Sequence, residues 1–214
     1  MATPKFDRIL QEFHLRIGDP ISILNGIATA SKILTVSESC GYVNKAMFSF
    51  FETNWDSVGG DKQKFIEIFP ELLVVTSSIT TSTTTYSATT IQQYTASNPN
   101  LDIYRHYGVT TGSQYIRIWP KQYVDVAITQ KNTHFNVVPP DKAAVEIGTR
   151  LLFFPTGSTE MPGMGLTYIR QPLDNTTGAL LQQNGNVDSP FDTRWTTKLA
   201  EIAASIYTQD AQFK

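Results

Sequence analysis

The chain has 214 residues, a formal net charge of −2, 41% hydrophobic and 17% charged residues, a single cysteine and three histidines. That length allows one large core or two modest ones, and the apolar content excludes a disordered chain. Charge is sparse against the roughly 25% of ordinary domains, so a basic footprint for duplex DNA is missing, and Cys40 alone allows neither an internal disulfide nor a CxxC metal site.

Thr3-Pro4 reads as a cap and first turn. Phe6, Ile9, Leu10, Phe13 and Ile17 then fall on one helical stripe that Gly18 closes. Asp19-Pro20 is expected to open a second helix with Ile21, Leu24, Ile27 and Leu34 on its apolar side. Ser37 is expected to cap a third, carrying Tyr42, Val43, Ala46, Met47, Phe50, Phe51 and Trp55. So many aromatic residues place that helix at the centre of the helical part. After Gly59-Gly60, Asp61 caps a short helix with Phe65, Ile68 and Phe69 inward, and Pro70 ends it.

From Leu72 the period changes to that of β-structure. The tract 76–90 is almost wholly Thr and Ser, whose composition fits an exposed β-hairpin arm or a mobile loop equally well. Strands are expected around Leu101, Ile103 and Tyr107, over Tyr115, Ile116, Ile118 and Trp119, at 123–128, and as one strand over 145–154. Residues 166–170 are expected to form a hairpin with that last strand across the loop 156–165. The stretch 174–188 reads as loop. Ser189-Pro190 then opens an amphipathic helix with Phe191, Trp195, Leu199, Ile202 and Ile206 on one face. This helix docks on its own domain or on a neighbouring subunit.

The fold class expected is therefore α+β. Residues 1–70 form a helical bundle and 71–188 a central antiparallel β-rich region with an extended arm at about 76–97. Residues 189–214 form the C-terminal helix. No apolar run approaches the roughly 20 residues of a membrane helix, and no signal peptide precedes the first helix, which suggests a protein kept in a cytoplasm.

Candidate chemistry is thin. His14 reads as a solvated helix residue beside Glu12 and Arg16, and His106 and His134 as strand or loop residues. None has metal-ligand spacing to another. Cys40 reads as a small buried residue at a helix start, and no carboxylate pair is singled out for glycoside chemistry. No catalytic residue, metal or cofactor is expected. Met161 and Met164 flank Pro162-Gly163 in a loop suited to adaptable contacts.

The segments GDPISILNG and CGYVNKAMFSF, with Tyr42, Asn44 and Ala46 on one helix, resemble the start of head–tail adaptor (connector ring) proteins of tailed bacteriophages, the crAss-like short-tailed type. The endings LLFFP and LTYIRQP, with Tyr168, Arg170 and Pro172, are similar to a hairpin of such neck proteins. The closing helix with Trp195 and Ala203-Ala204 is similar to theirs. The resemblance covers about half the chain and leaves the Thr-rich arm unmatched.

It implies a structural virion subunit at the head–tail junction, forming a twelve-fold ring with copies of itself beneath the portal protein and beside other neck or tail proteins. DNA would pass through that ring without sequence-specific binding, and no reaction or cofactor is implied. The expected assembly contacts are Tyr42, Asn44, Met161, Met164, Tyr168, Arg170, Trp195, Leu199, Ile202 and Ile206. The alternatives are a capsid-associated module, a glycan-binding β module built on Tyr115, Trp119 and Tyr123, and an enzyme using Cys40 or a histidine.

Overall fold

The computed structural model describes residues 4–24, 27–29, 31–76, 79–86, 89–95, 101–111, 114–119, 143–147, 150–154 and 164–212. The expected strand at 123–128, His134 and Met161 lie outside them. The fold is α+β and divides into two compact units, Met1–Leu72 with Arg170–Lys214, and Leu73–Ile169.

The helical unit begins with α1 (Lys5–Arg16), whose inward face carries Phe6, Ile9, Leu10 and Phe13, all at most 1% exposed. Burying four such side chains contributes roughly 6–12 kcal/mol gross before conformational entropy is counted, so packing rather than helix propensity holds α1. The expected second helix is absent. In its place stand the short antiparallel strands β1 (Ile23–Leu24) and β2 (Ile27–Ala28). The reason lies in Asp19, whose Oδ2 accepts from the Ser31 hydroxyl at 2.6 Å and from the Lys32 and Ile33 amides at 2.8 and 3.1 Å. That carboxylate folds the segment back on itself, which a helix would forbid.

Helix α2 (Val36–Ser57) starts one cap earlier than expected. Thr35 rather than Ser37 caps it, in a reciprocal capping box with Glu38. Val43, Ala46, Met47, Phe50 and Phe51 are buried, which places α2 centrally. Gly59 and Gly60, at φ of +63° and +73°, end it by turning left-handed, a conformation cheap only for glycine. Asp61 caps α3 (Lys62–Ile68) through the Gln63 and Lys64 amides. Phe65 and Phe69 are fully buried, while Ile68 faces outward at 38% exposure, against expectation.

A 3-10 turn (Thr193–Trp195), capped by Asp192 rather than Ser189, leads into α4 (Thr196–Gln212). Helix α4 packs along both α1 and α2, with Leu199, Ala200 and Ala203 buried. The tail helix therefore completes its own bundle. Residues 170–188, read from sequence as part of the β-rich region, also belong to this unit, with Leu181 at 2% exposure.

The second unit is one mixed sheet. Its strands are β3 (Leu73–Thr76), β4 (Ser82–Tyr86), β5 (Thr89–Thr95), β6 (Ile103–Thr111), β7 (Gln114–Trp119), β8 (Ala143–Ile147), β9 (Arg150–Phe154) and β10 (Met164–Arg170), in the order β3-β10-β6-β7-β8-β9-β5-β4. The single strand expected over 145–154 is an antiparallel pair, with Ile147 opposite Arg150 across a two-residue link. Strand β10 pairs with β3 and lies beside β6, so the expected hairpin with residues 145–154 does not form.

Of the two readings of the Thr-rich tract, the hairpin is the one its described residues take. That β4–β5 hairpin is registered from Ser82↔Gln93 to Tyr86↔Thr89, and β5 is anchored on β9.

Strand β7 changes partners midway. Residues 114–116 pair antiparallel with β6, and residues 117–119 pair parallel with β8. The sheet turns over there, and side chains from both halves, including Tyr94, Val109, Ile116, Leu151, Phe153, Leu166 and Tyr168, meet in one core. Connectivity requires the same. Eight flat strands would hold the sheet edges roughly 34 Å apart, whereas the six Cα steps from Thr76 to Ser82 span at most ~21 Å. Gly165 on β10 is hemmed in by the two strands that flank it, β3 and β6. A Cβ there would lie 2.8 Å from both the Thr76 carbonyl and the Thr110 hydroxyl.

Candidate functional site

Polar groups buried in the helical unit bind distant parts of the chain together. The Asp188 carboxylate accepts from the Lys5 and Phe6 amides, each at 2.9 Å, and so caps α1 from 183 residues away. Pro4 occupies the local cap position and has no side-chain oxygen to offer. Asn44 donates to the Cys40 and Leu181 carbonyls at 2.8 and 2.7 Å and accepts from the Leu181 amide at 3.1 Å. Asp7, fully buried, accepts from the Asn184 amide at 3.0 Å. Burial pushes the Asp7 carboxyl above its ordinary range. Asn184 itself takes a φ of +50°, which asparagine tolerates.

His14 is buried at 1% exposure, not solvated. Its Nε2 lies 2.8 Å from Ser39 Oγ. The Ser39 hydroxyl already donates to the Thr35 carbonyl at 2.9 Å, so the imidazole is the donor in this pair. Burial holds His14 below its ordinary pKa and hence neutral. The pair has the outline of a nucleophile and base, but Ser39 is 1% exposed and its hydroxyl proton goes to the Thr35 carbonyl, not to the imidazole. Cys40 is buried as well. Burial, with the Asp7 charge in support, keeps its thiol protonated.

In the β unit, His106 is likewise buried rather than solvated. Its Nδ1 stands 2.8 Å from Glu146 Oε1, and that oxygen also accepts the His106 amide at 3.2 Å. Glu146 lies on β8 and His106 on β6, beyond the stretch where β7 pairs with β6. The carboxylate thus ties together two strands that are not neighbours in the sheet. Tyr168 donates to Asp102 at 3.0 Å, with both groups 1% exposed. Among the described residues no cluster of three or more His, Cys, Asp or Glu could hold a metal ion. No helix among them is long and apolar enough to cross a membrane.

These contacts decide what the sequence-selected residues can offer a partner. Asn44, Met164, Tyr168 and Leu199 are each at most 2% exposed. Their side chains are spent inside the chain, which leaves them little surface to offer a partner. Met164 is the first residue of β10, not part of a loop. Trp195 is half-buried, stacks near Phe50 and Phe69 with centroids 5.2 Å away, and donates to Glu71 at 2.9 Å. Arg170 is half-buried and donates to the Leu173 carbonyl. Tyr42, Ile202 and Ile206 keep partial exposure, and the Tyr42 ring meets Tyr207 edge-on at 5.5 Å.

Two surface features stand apart from these residues. A groove of ≈ 530 Å³ runs along α2, with Lys45, Phe48, Glu52 and Asp56 on one side and Leu180, 53% exposed, on the other. The second is the pair of sheet edges. Among the described residues β3 pairs only with β10 and β4 only with β5, and Val75 on β3 is 71% exposed. The signal that could have exposed these edges is charge: residues 72–101 contain no Asp, Glu, Lys, Arg or His. No family model matches the chain, and no curated protein matches it.

Proposed function

We propose that this chain is a structural subunit of a tailed-phage neck, an adaptor that forms a ring with copies of itself between portal and tail and helps enclose the DNA conduit. The observation that carries this reading is architectural. Helices from either side of a β-rich insertion lock into one bundle, and among the described residues the insertion ends in two uncharged edge strands. A closed helical bundle and an extendable sheet suit a subunit that repeats around an axis. The sequence motifs around Tyr42 and Tyr168 supply the link to neck proteins, through the fold of those segments and not through side chains exposed to a partner.

The test is the mass in solution of the chain alone and mixed with the portal protein of its own genome. A discrete large complex in the mixture supports the adaptor reading. A folded monomer that stays unchanged in both samples overturns it.

A further inference from the structure

Edge strands present rows of unpaired N–H and C=O groups, and natural proteins guard them with lysine, proline or other charge against pairing with further chains. Among the described residues neither edge carries such a charge or proline. Strand β3 reads LVVT and β4 reads STTTY, and both lie inside the 30 consecutive residues, 72–101, that carry no charge. The chain that an unguarded edge meets most often is another copy of itself. Such an edge is therefore tolerated where self-pairing is used.

We infer that copies of this chain join edge to edge, β4 of one lying beside β3 of the next, so that the sheet continues across the junction. The two edges differ in sequence and have similar lengths, four and five residues. One kind of junction satisfies both, and a contact between two different surfaces closes into a ring when its rotation allows. It also places a neighbouring strand beside Val75, whose exposed side chain is otherwise an uncovered apolar group on the edge. Main-chain bonds supply the pairing, which is why a Thr-rich strand without large apolar side chains is sufficient.

This inference rests on the self-associating reading above, and the experiment separates the two. Val75→Lys and Ser82→Lys each place a charge on one edge, at positions exposed enough to leave the fold intact. Circular dichroism checks that fold. The expected result is that each variant alone needs at least about a tenfold higher concentration to assemble than the wild type. An equimolar mixture then yields pairs holding one copy of each, because one junction between them remains unblocked. In the wild-type assembly, amides of residues 73–76 and 82–86 exchange more slowly than in the free chain.

Variants that assemble like the wild type, or amides without added protection, overturn the edge pairing and leave the ring reading standing. Loss confined to Ser82→Lys points to β4 against β4 and overturns the β4–β3 junction. A wild type that stays monomeric alone and with portal overturns the ring reading itself.

Discussion

Asn44 satisfies three main-chain groups at once, two of them on Leu181 far along the chain. Replacing it with alanine leaves the Leu181 amide and carbonyl buried without partners. Asn44→Ala should therefore cost roughly 2–4 kcal/mol, read as a lower urea midpoint for the helical unit. His14 makes stability depend on pH. Its folded-state pKa lies below the ordinary 6.5 because burial disfavours the charged ring. The unfolded chain then binds the proton more readily. The contribution is complete above the unfolded pKa and is lost as pH falls through it.

Asp7 has the opposite sense. Its raised pKa means that its buried charge costs stability as pH rises through the folded value. Between about pH 7 and pH 5 the wild type should lose protection in α1 and α2 through His14. His14→Gln, which keeps a donor for Ser39 and cannot charge, should flatten that part of the profile. Hydrogen exchange of α1 and α2 peptides checks this, and an unchanged slope in the variant would remove His14 as its source.

Elements were legible where a short repeat in sequence matched a burial face. The stripe from Phe6 to Phe13 and the crowded face of α2 gave both helices their positions, because burial follows the 3.6-residue period. Residues 21–34 show the limit of that logic. Their apolar spacing fits a helix, yet the Asp19 carboxylate ties residues 31–33 back to it. The same holds for β10, whose partner β3 lies some ninety residues earlier, with Leu166 opposite Thr76. The buried polar sites were least legible of all. Nothing near His14 announces Ser39, and nothing near Lys5 announces Asp188. Helix α1 gives the sharpest test at this scale. Asp188→Ala removes the cap from its first amides and should destabilise the helix by about 1–2 kcal/mol. Faster exchange confined first to α1 would identify the cause.

At the scale of the whole molecule, the tail helix is structural. A tail that docks only between subunits could be removed at Asp188 without unfolding the chain. Helix α4 instead lies against both α1 and α2 and buries Leu199, Ala200 and Ala203. Truncation after Asp188 should therefore abolish more helical circular dichroism than the seventeen residues of α4 account for. A loss limited to those residues would show that α1 and α2 hold together without it. The clasp at the start of α4 points the same way: Glu71 accepts from both Trp195 and Arg194 and so fixes the end of α3 to the closing helix.

The capping of α1 by Asp188 has a consequence in time. A ribosome releases residues 5–16 first and Asp188 almost two hundred codons later, so during synthesis the first helix waits uncapped and without its α4 partner. The β-rich insertion emerges whole in that interval and can complete its ladders first. A nascent chain that stalls before Asp188 exposes the apolar face of α1 instead of closing it. The bundle thus closes only on a chain translated past α4.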